Sequence, residues 1–424
     1  MLIRRLKETW VYRRCSILII FSLLIIVKNF TSVALSEDIL KASPFNYFVI
    51  GGWVGPHQTK EQYYLYKKAG FNTVLEYLWE GDDYTQTLVL VQKVEGLKAI
   101  LNIDQKFIRH NMETEDVLFE KVKGFIMEVK DEKNQVGYFL YDEPERHNIS
   151  LIVKTAEHIL QIDRRKFIWM NFYVEKDFSI ARTVLNKLIP SAISMDFYPF
   201  EVSKNRMNEY YCYIDWFRTL SLEYDVPFWT FVQSAEWFDR IGDKRLPNSG
   251  ELRLLVYTNL AYGAKGLWYY TYVSPRHSKS IKTAILDKND KPTKLYEIVK
   301  NLNREVSALA PILMKLKSME VVHTGIPPKG LSKFKPNNLI SGISGDNIII
   351  GYFQSGNGSK YIMLVNKLTN NYKNVTLELG QDVKSLLLID KQTGEECKVN
   401  LMNKKYEICL QAGDGMLFKI LGAY

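Results

Sequence analysis

The chain has 424 residues, of which 46% are hydrophobic and 13% aromatic. That is too much apolar surface for a disordered chain, and enough length for one large domain plus a smaller one. The formal charge of +9 is concentrated at the start: residues 1–34 hold six cations and one acid, leaving 50 cations against 46 acids elsewhere, a near-balance that excludes a nucleic-acid partner.

Residues 1–34 read as a targeting signal. A basic stretch ending in Arg13-Arg14 precedes an apolar run at 16–27, and Ser32-Val33-Ala34 offers small residues two apart for a signal peptidase. The apolar run is short for a spanning helix, which needs about 20 residues. Export is expected, by cleavage or with the segment kept as an N-terminal anchor, which would be the chain's one membrane contact. Cysteines are few. Cys397 and Cys409 flank a turn at Met402-Asn403-Lys404, where a cross-strand disulfide is an option in an oxidising compartment. Cys212 reads as a small buried apolar residue. No Cys/His cluster has metal spacing, so neither metal nor cofactor is expected.

From residue 45 onward short apolar strands alternate with amphipathic helices. Strands are expected at 47–54, 73–78, 98–103, 136–141, 166–172, 192–198, 227–233 and 266–272. Helices are expected at 60–69, 115–128, 149–160, 180–188, 208–223, 251–263 and 294–308. Ala69-Gly70, Glu95-Gly96 and Ala264-Lys265-Gly266 place glycines where helices stop. Continuously apolar strands separated by helices indicate a parallel sheet covered on both faces, and eight such units indicate an α/β fold closed as a (β/α)8 TIM barrel over 35–317. No Gly-x-Gly-x-x-Gly follows the first strand, which argues against a dinucleotide-binding sheet. From 318 to 424 the texture changes to seven alternating strands, at 348–353, 360–365, 374–379, 384–389, 397–401, 406–410 and 416–420, separated by turns, a small antiparallel β-sandwich.

In such a barrel the chemistry sits at the C-terminal strand ends. The residues expected there are Trp53; Glu76, Trp79 and Glu80; Asp104; Asp142 and Glu143; Asn171 and Tyr173; Asp196 and Tyr198; Gln233 and Glu236; and Tyr269, Tyr270 and Tyr272. Carboxylates and amides bond hydroxyls, and aromatic faces stack on the C–H face of a pyranose, so the set suits a carbohydrate. No lysine stands at a strand end and no basic cluster marks a phosphate site. Trp53, Trp79, Tyr198, Trp237 and Tyr270 are candidate stacking platforms. Glu251 and Arg253, at a helix start, read as structural.

Tyr141-Asp142-Glu143-Pro144 is the sharpest motif. Two adjacent acids closing a buried strand are costly in a purely structural role, and the proline ends the strand. Glu143 is the candidate general acid, with Asp142 binding a sugar hydroxyl or tuning it. The alternative is a pair of acids at a helix N-terminus.

Residues 137–144 resemble strand four of clan A glycoside hydrolases, where an Asn-Glu-Pro triplet, with Asp-Glu variants, carries the general acid/base. The 227–233 strand, the Ala261-Tyr262-Gly263-Ala264-Lys265-Gly266 segment and the closing 413–419 strand resemble secreted bacterial β-galactosidase-like enzymes with a C-terminal β-domain. The resemblance implies hydrolysis of glycosidic bonds, with retention favoured over inversion, and a carbohydrate as the partner. It also implies a nucleophilic Glu at the end of strand seven, where this chain has Gln233. Three readings follow: Glu236 as a displaced nucleophile; Asp196 as nucleophile or as base for an inverting water; or a glycan-binding barrel without turnover. Glu80 and Glu76 are further candidates. Gln233 and Asn171 are expected to orient the substrate or the acid.

Overall fold

The computed structural model describes residues 40–76, 83–109, 112–175, 178–238, 242–276 and 278–422. The leader expected at 1–34, and the site candidates Trp79 and Glu80, lie outside the described residues.

Eight parallel strands close into a barrel: β1 Val49–Trp53, β2 Thr73–Leu75, β3 Lys98–Asn102, β4 Gln135–Asp142, β5 Phe167–Tyr173, β6 Ala192–Asp196, β7 Phe228–Gln233 and β8 Gly266–Tyr270. β8 pairs with β7 on one side and β1 on the other, which leaves no open edge. The interior is filled with rings. Trp169 and Trp268 stack at 4.5 Å, and Trp229, Phe139 and Phe231 pack around them. Such bulk displaces side chains from neighbouring strands. A Cβ on Gly51 would lie 2.3 Å from the Trp268 ring, so β1 accepts glycine there although glycine is a poor strand former.

The helices are α1 Lys60–Lys68, α2 Tyr84–Lys93, α3 Glu115–Val129, α4 Ile149–Ile162, α5 Ser179–Leu185, α6 Met207–Glu223, α7 Ser249–Tyr262 and α8 Lys294–Leu313. Several start on side-chain caps. Thr59 accepts from the Gln62 N–H, Asp83 from Thr85, and Asn248 forms a reciprocal capping box with Glu251. Gly70 and Gly96 follow α1 and α2 with φ of 83° and 75°. After α7 the left-handed cap is Gly263, φ 98°, while Gly266 opens β8, so the stop lies three residues earlier than the third glycine signal suggested. α7 is buried almost throughout, because barrel strands cover one side and the C-terminal domain the other.

That domain is a two-sheet antiparallel sandwich. Its strands are β9 Leu316–His323, β10 Ile340–Ile343, β11 Ile348–Ser355, β12 Lys360–Asn366, β13 Lys373–Leu379, β14 Ser385–Ile389, β15 Glu396–Lys398, β16 Lys405–Leu410 and β17 Gly415–Leu421. One sheet has the order β9-β11-β12-β17-β14-β15, the other β10-β13-β16. Ile350, Leu364 and Phe418 from the first meet Ile340, Leu377 and Leu410 from the second in a shared core. β9 and β10 were not among the expected strands.

The expected 397–401/406–410 hairpin does not form. β15 pairs with β14 and β16 with β13, because the chain crosses between sheets at 399–404. Cys397 and Cys409 therefore sit in different sheets as exposed free thiols, and the disulfide is ruled out. Cys212 is half-buried rather than buried.

Candidate active site

A cleft of about 370 Å³ opens at the C-terminal ends of the barrel strands. Its acidic side is built by Asp142 and Glu143 at the end of β4 and Asp196 at the end of β6, with Asn171 of β5 between them. Adjacent residues in a regular strand point to opposite faces. Asp142 and Glu143 nonetheless line the same cleft, because Glu143 leaves the strand with a left-handed φ of 55°. A non-glycine residue holds that conformation at a cost of order 1–2 kcal/mol, and such outliers concentrate at functional sites.

Hydrogen bonds fix this side. Asn171 Nδ2 donates to Asp142 Oδ1 at 2.9 Å and to Asp196 Oδ1 at 3.0 Å. Asn171 Oδ1 accepts from Ser194 Oγ at 2.7 Å, and Ser194 Oγ accepts from Trp169 Nε1 at 2.8 Å. The amide is thus oriented by a chain anchored in the barrel core. Behind Asp142, Arg109 Nη2 donates to Asp104 Oδ2 at 2.6 Å and to the Asp142 carbonyl at 2.7 Å. Asp104 Oδ2 also receives the Asp142 N–H at 3.1 Å.

The electrostatics separate the acids from ordinary surface carboxylates. Desolvation, then the charges of Asp196 and Asp142, push the Glu143 carboxyl well above the usual range, against the pull of Arg109. Glu143 and Asp196 come within hydrogen-bonding reach. Asp196 is raised by desolvation and by Asp142, against hydrogen bonds from Asn171 and Tyr198. Two carboxyls at such range cannot both ionise freely, so they titrate as a pair sharing a proton. Asp142 is raised by desolvation, while Asn171 and Arg109 pull the other way.

The opposite side is aromatic. Tyr198, Trp237 and Tyr270 form a cluster with ring centroids 4.9–5.0 Å apart. Trp53 stands edge-on to Phe139 and Phe231, each at 5.4 Å.

Among the described residues, six of the expected ones do not line the cleft: Glu76, Asp104, Gln233, Glu236, and Tyr269 and Tyr272, whose rings are buried. Glu236 and Trp237 form a two-residue strand paired with Ile281–Thr283. Trp237 lines the cleft, and strand alternation turns Glu236 away onto Lys282 at 3.3 Å. Gln233 is fully buried, with its amide spent on main chain: Oε1 accepts from the Phe200 N–H, and Nε2 donates to the Phe200 and Arg245 carbonyls. It therefore cannot orient a substrate. Glu76, with a pKa raised to about 7 by desolvation, lies buried at the end of β2 and does not line the cleft.

Sequence reasoning missed two cations. Arg206, from the loop before α6, and Lys244, from the loop after β7, both line the cleft, contrary to the expected lack of a basic cluster. They lie far from any strand end in sequence, so strand-end residues could not point to them. Glu201 holds both: burial pushes its carboxyl up, but hydrogen bonds from Lys244 and Arg206 bring it below its usual value.

Residues 141–309 match the family model of the glycoside hydrolase 42 β-galactosidases. The match begins on the strand-four motif and runs through α7 to α8. The fold is a closed (β/α)8 barrel followed by an antiparallel β-sandwich. Solved structures with the same architecture agree. A β-galactosidase from Bacillus circulans sp. alkalophilus superposes with a TM-score of 0.62 at 9% identity, covering 89% of this chain and 99% of that one. A glycoside hydrolase family 5 protein from Bacteroides vulgatus gives 0.58 at 11%, covering 88% and 89%. Against the β-galactosidase of the psychrophilic Marinomonas ef1 the values are 0.53 and 12%, and this chain spans 63% of that chain's length. No curated protein sequence matches.

Proposed function

We propose that the protein is an exported glycosidase that cleaves a glycosidic bond with retention, Glu143 acting as general acid/base and Asp196 as nucleophile. The observation that supports this most directly is the Glu143–Asp196 pair in the cleft. A pair sharing one proton supplies a protonated acid for the leaving oxygen and an ionised partner for the anomeric carbon. The Asp142 carboxylate pairs with Arg109 at 3.7 Å and accepts from Asn171, and Glu236 points elsewhere, so Asp196 is the carboxylate left to act. Retention calls for the two carboxyls about 5–5.5 Å apart around the bound sugar, and Glu143, exposed at the rim, is the member placed to adjust. Asn171 holds Asp196 in place, and the aromatic side receives the sugar face.

The test is turnover of a panel of aryl glycosides, with the anomer first released read by NMR. Glu143→Gln is expected to lower kcat roughly 10²–10⁴-fold on substrates whose leaving group needs protonation. An inverted first product would overturn retention. Sugar binding with no turnover of any substrate would leave a glycan-binding barrel instead.

A further inference from the structure

Lys244 is 5% exposed and lines the cleft. Its main chain pairs with Trp237 in both directions, N–H to carbonyl at 2.8 and 3.1 Å, which fixes it beside the aromatic cluster. An ammonium has three donors. One goes to Glu201 Oε1 at 2.8 Å, and no other acceptor meets Nζ among the described residues. Arg206 Nη1 donates to the same Glu201 oxygen at 3.1 Å, so the two cations are neighbours. Arg206 spends Nε and one Nη2 hydrogen on Glu209, which leaves two of its five N–H groups open. At the cleft face two cations therefore share one buried carboxylate, Arg206 pairing also with Glu209, and several of their donors are unfilled. A cation so nearly buried is costly without further acceptors. The acceptors that best answer two adjacent cations are those of an anion.

We propose that the cleft takes a sugar bearing an anionic substituent, a carboxylate or a sulfate ester, seated against Lys244 and Arg206. The proposal rests on the glycosidase reading for its substrate class, while the anion subsite itself stands on the geometry of the two cations. A sugar stacked on Trp237, Tyr198 or Tyr270 presents one edge to Lys244, so the substituent's position on the ring selects the substrate. Glu201 is a positioning residue that holds both cations without touching the sugar.

The experiment is calorimetric binding of free sugars to the full chain: galacturonate, glucuronate and galactose 6-sulfate against galactose and glucose. At least one acidic sugar is expected to bind about tenfold or more tighter than its neutral parent. Which one does so separates the carboxylate from the sulfate. Lys244→Gln is expected to erase most of that preference. Equal or tighter binding of the neutral sugars by the unaltered protein overturns the proposal, and that comparison needs no variant. Equal weakening of neutral and acidic sugars by Lys244→Gln overturns the role of Lys244. Acidic-sugar preference without turnover of any glycoside would leave this subsite standing and remove the hydrolase reading; turnover without the preference would do the reverse.

Discussion

Gln233 and Phe200 are joined by two reciprocal hydrogen bonds, each 2.9 Å, between the glutamine amide and the phenylalanine main chain. At the end of β7, where the related enzymes are expected to carry a nucleophile, this chain holds the loop after β6 in place. Gln233→Glu would not restore a nucleophile. The new carboxylate would replace Nε2, facing the Phe200 and Arg245 carbonyls with no proton to give. The expected outcome is a loss of roughly 2–5 kcal/mol in stability with no gain in turnover. Denaturant unfolding and kcat together check it, and a stable, faster variant would refute the assignment.

Asp196 and Glu236 make opposite predictions. Asp196→Asn removes the proposed nucleophile and is expected to lower kcat by about 10³-fold or more. Glu236 forms a half-exposed pair with Lys282, so Glu236→Gln is expected to change kcat/KM by less than about twofold. Reversed effects would make Glu236 the nucleophile.

The pH dependence follows from the coupled acids. Both Glu143 and Asp196 are raised, so the singly protonated pair persists above the ordinary carboxylate range of about 4. The kcat/KM profile is therefore expected to be bell-shaped with its optimum displaced toward neutrality. Removing the Asp196 charge removes a repulsion that raises the Glu143 carboxyl, so residual activity of Asp196→Asn should lose its alkaline limb at lower pH. A profile peaking at or below the ordinary carboxylate range would contradict the shared proton.

Arg253 of α7 ties the barrel to its sandwich. Its guanidinium bonds Glu305 of α8 at 2.8 Å and Asp414, just before β17, at 2.5 Å, all three largely buried. Among the described residues, Arg253→Ala leaves Asp414 with Lys391, and Glu305 with the Tyr257 hydroxyl and Lys391 at 3.9 Å. A loss of about 3–5 kcal/mol is expected, read as a lower Tm and urea midpoint. A loss below about 1 kcal/mol would show that the cluster contributes little.

The barrel was legible in the sequence because strands buried on both faces must be continuously apolar and the helices between them amphipathic. All eight barrel strands fall on expected segments, most within two residues of the expected ends. Asp142-Glu143-Pro144 was legible for a similar reason: paired acids closing a buried strand have few structural justifications. The sequence by itself thus determined the architecture and the acidic side of the cleft. Tertiary structure decided the rest. Whether Asp196 or Glu236 faces Glu143 depends on which side of a two-residue strand each side chain takes. Whether Gln233 meets a ligand depends on which loop covers it. Cys397 and Cys409 are twelve residues apart in the chain, but a crossing between sheets separates them. Arg206 and Lys244 reach the cleft from long loops, brought together by one buried oxygen of Glu201. Periodicity records burial along one element, whereas contacts between loops leave no periodic trace.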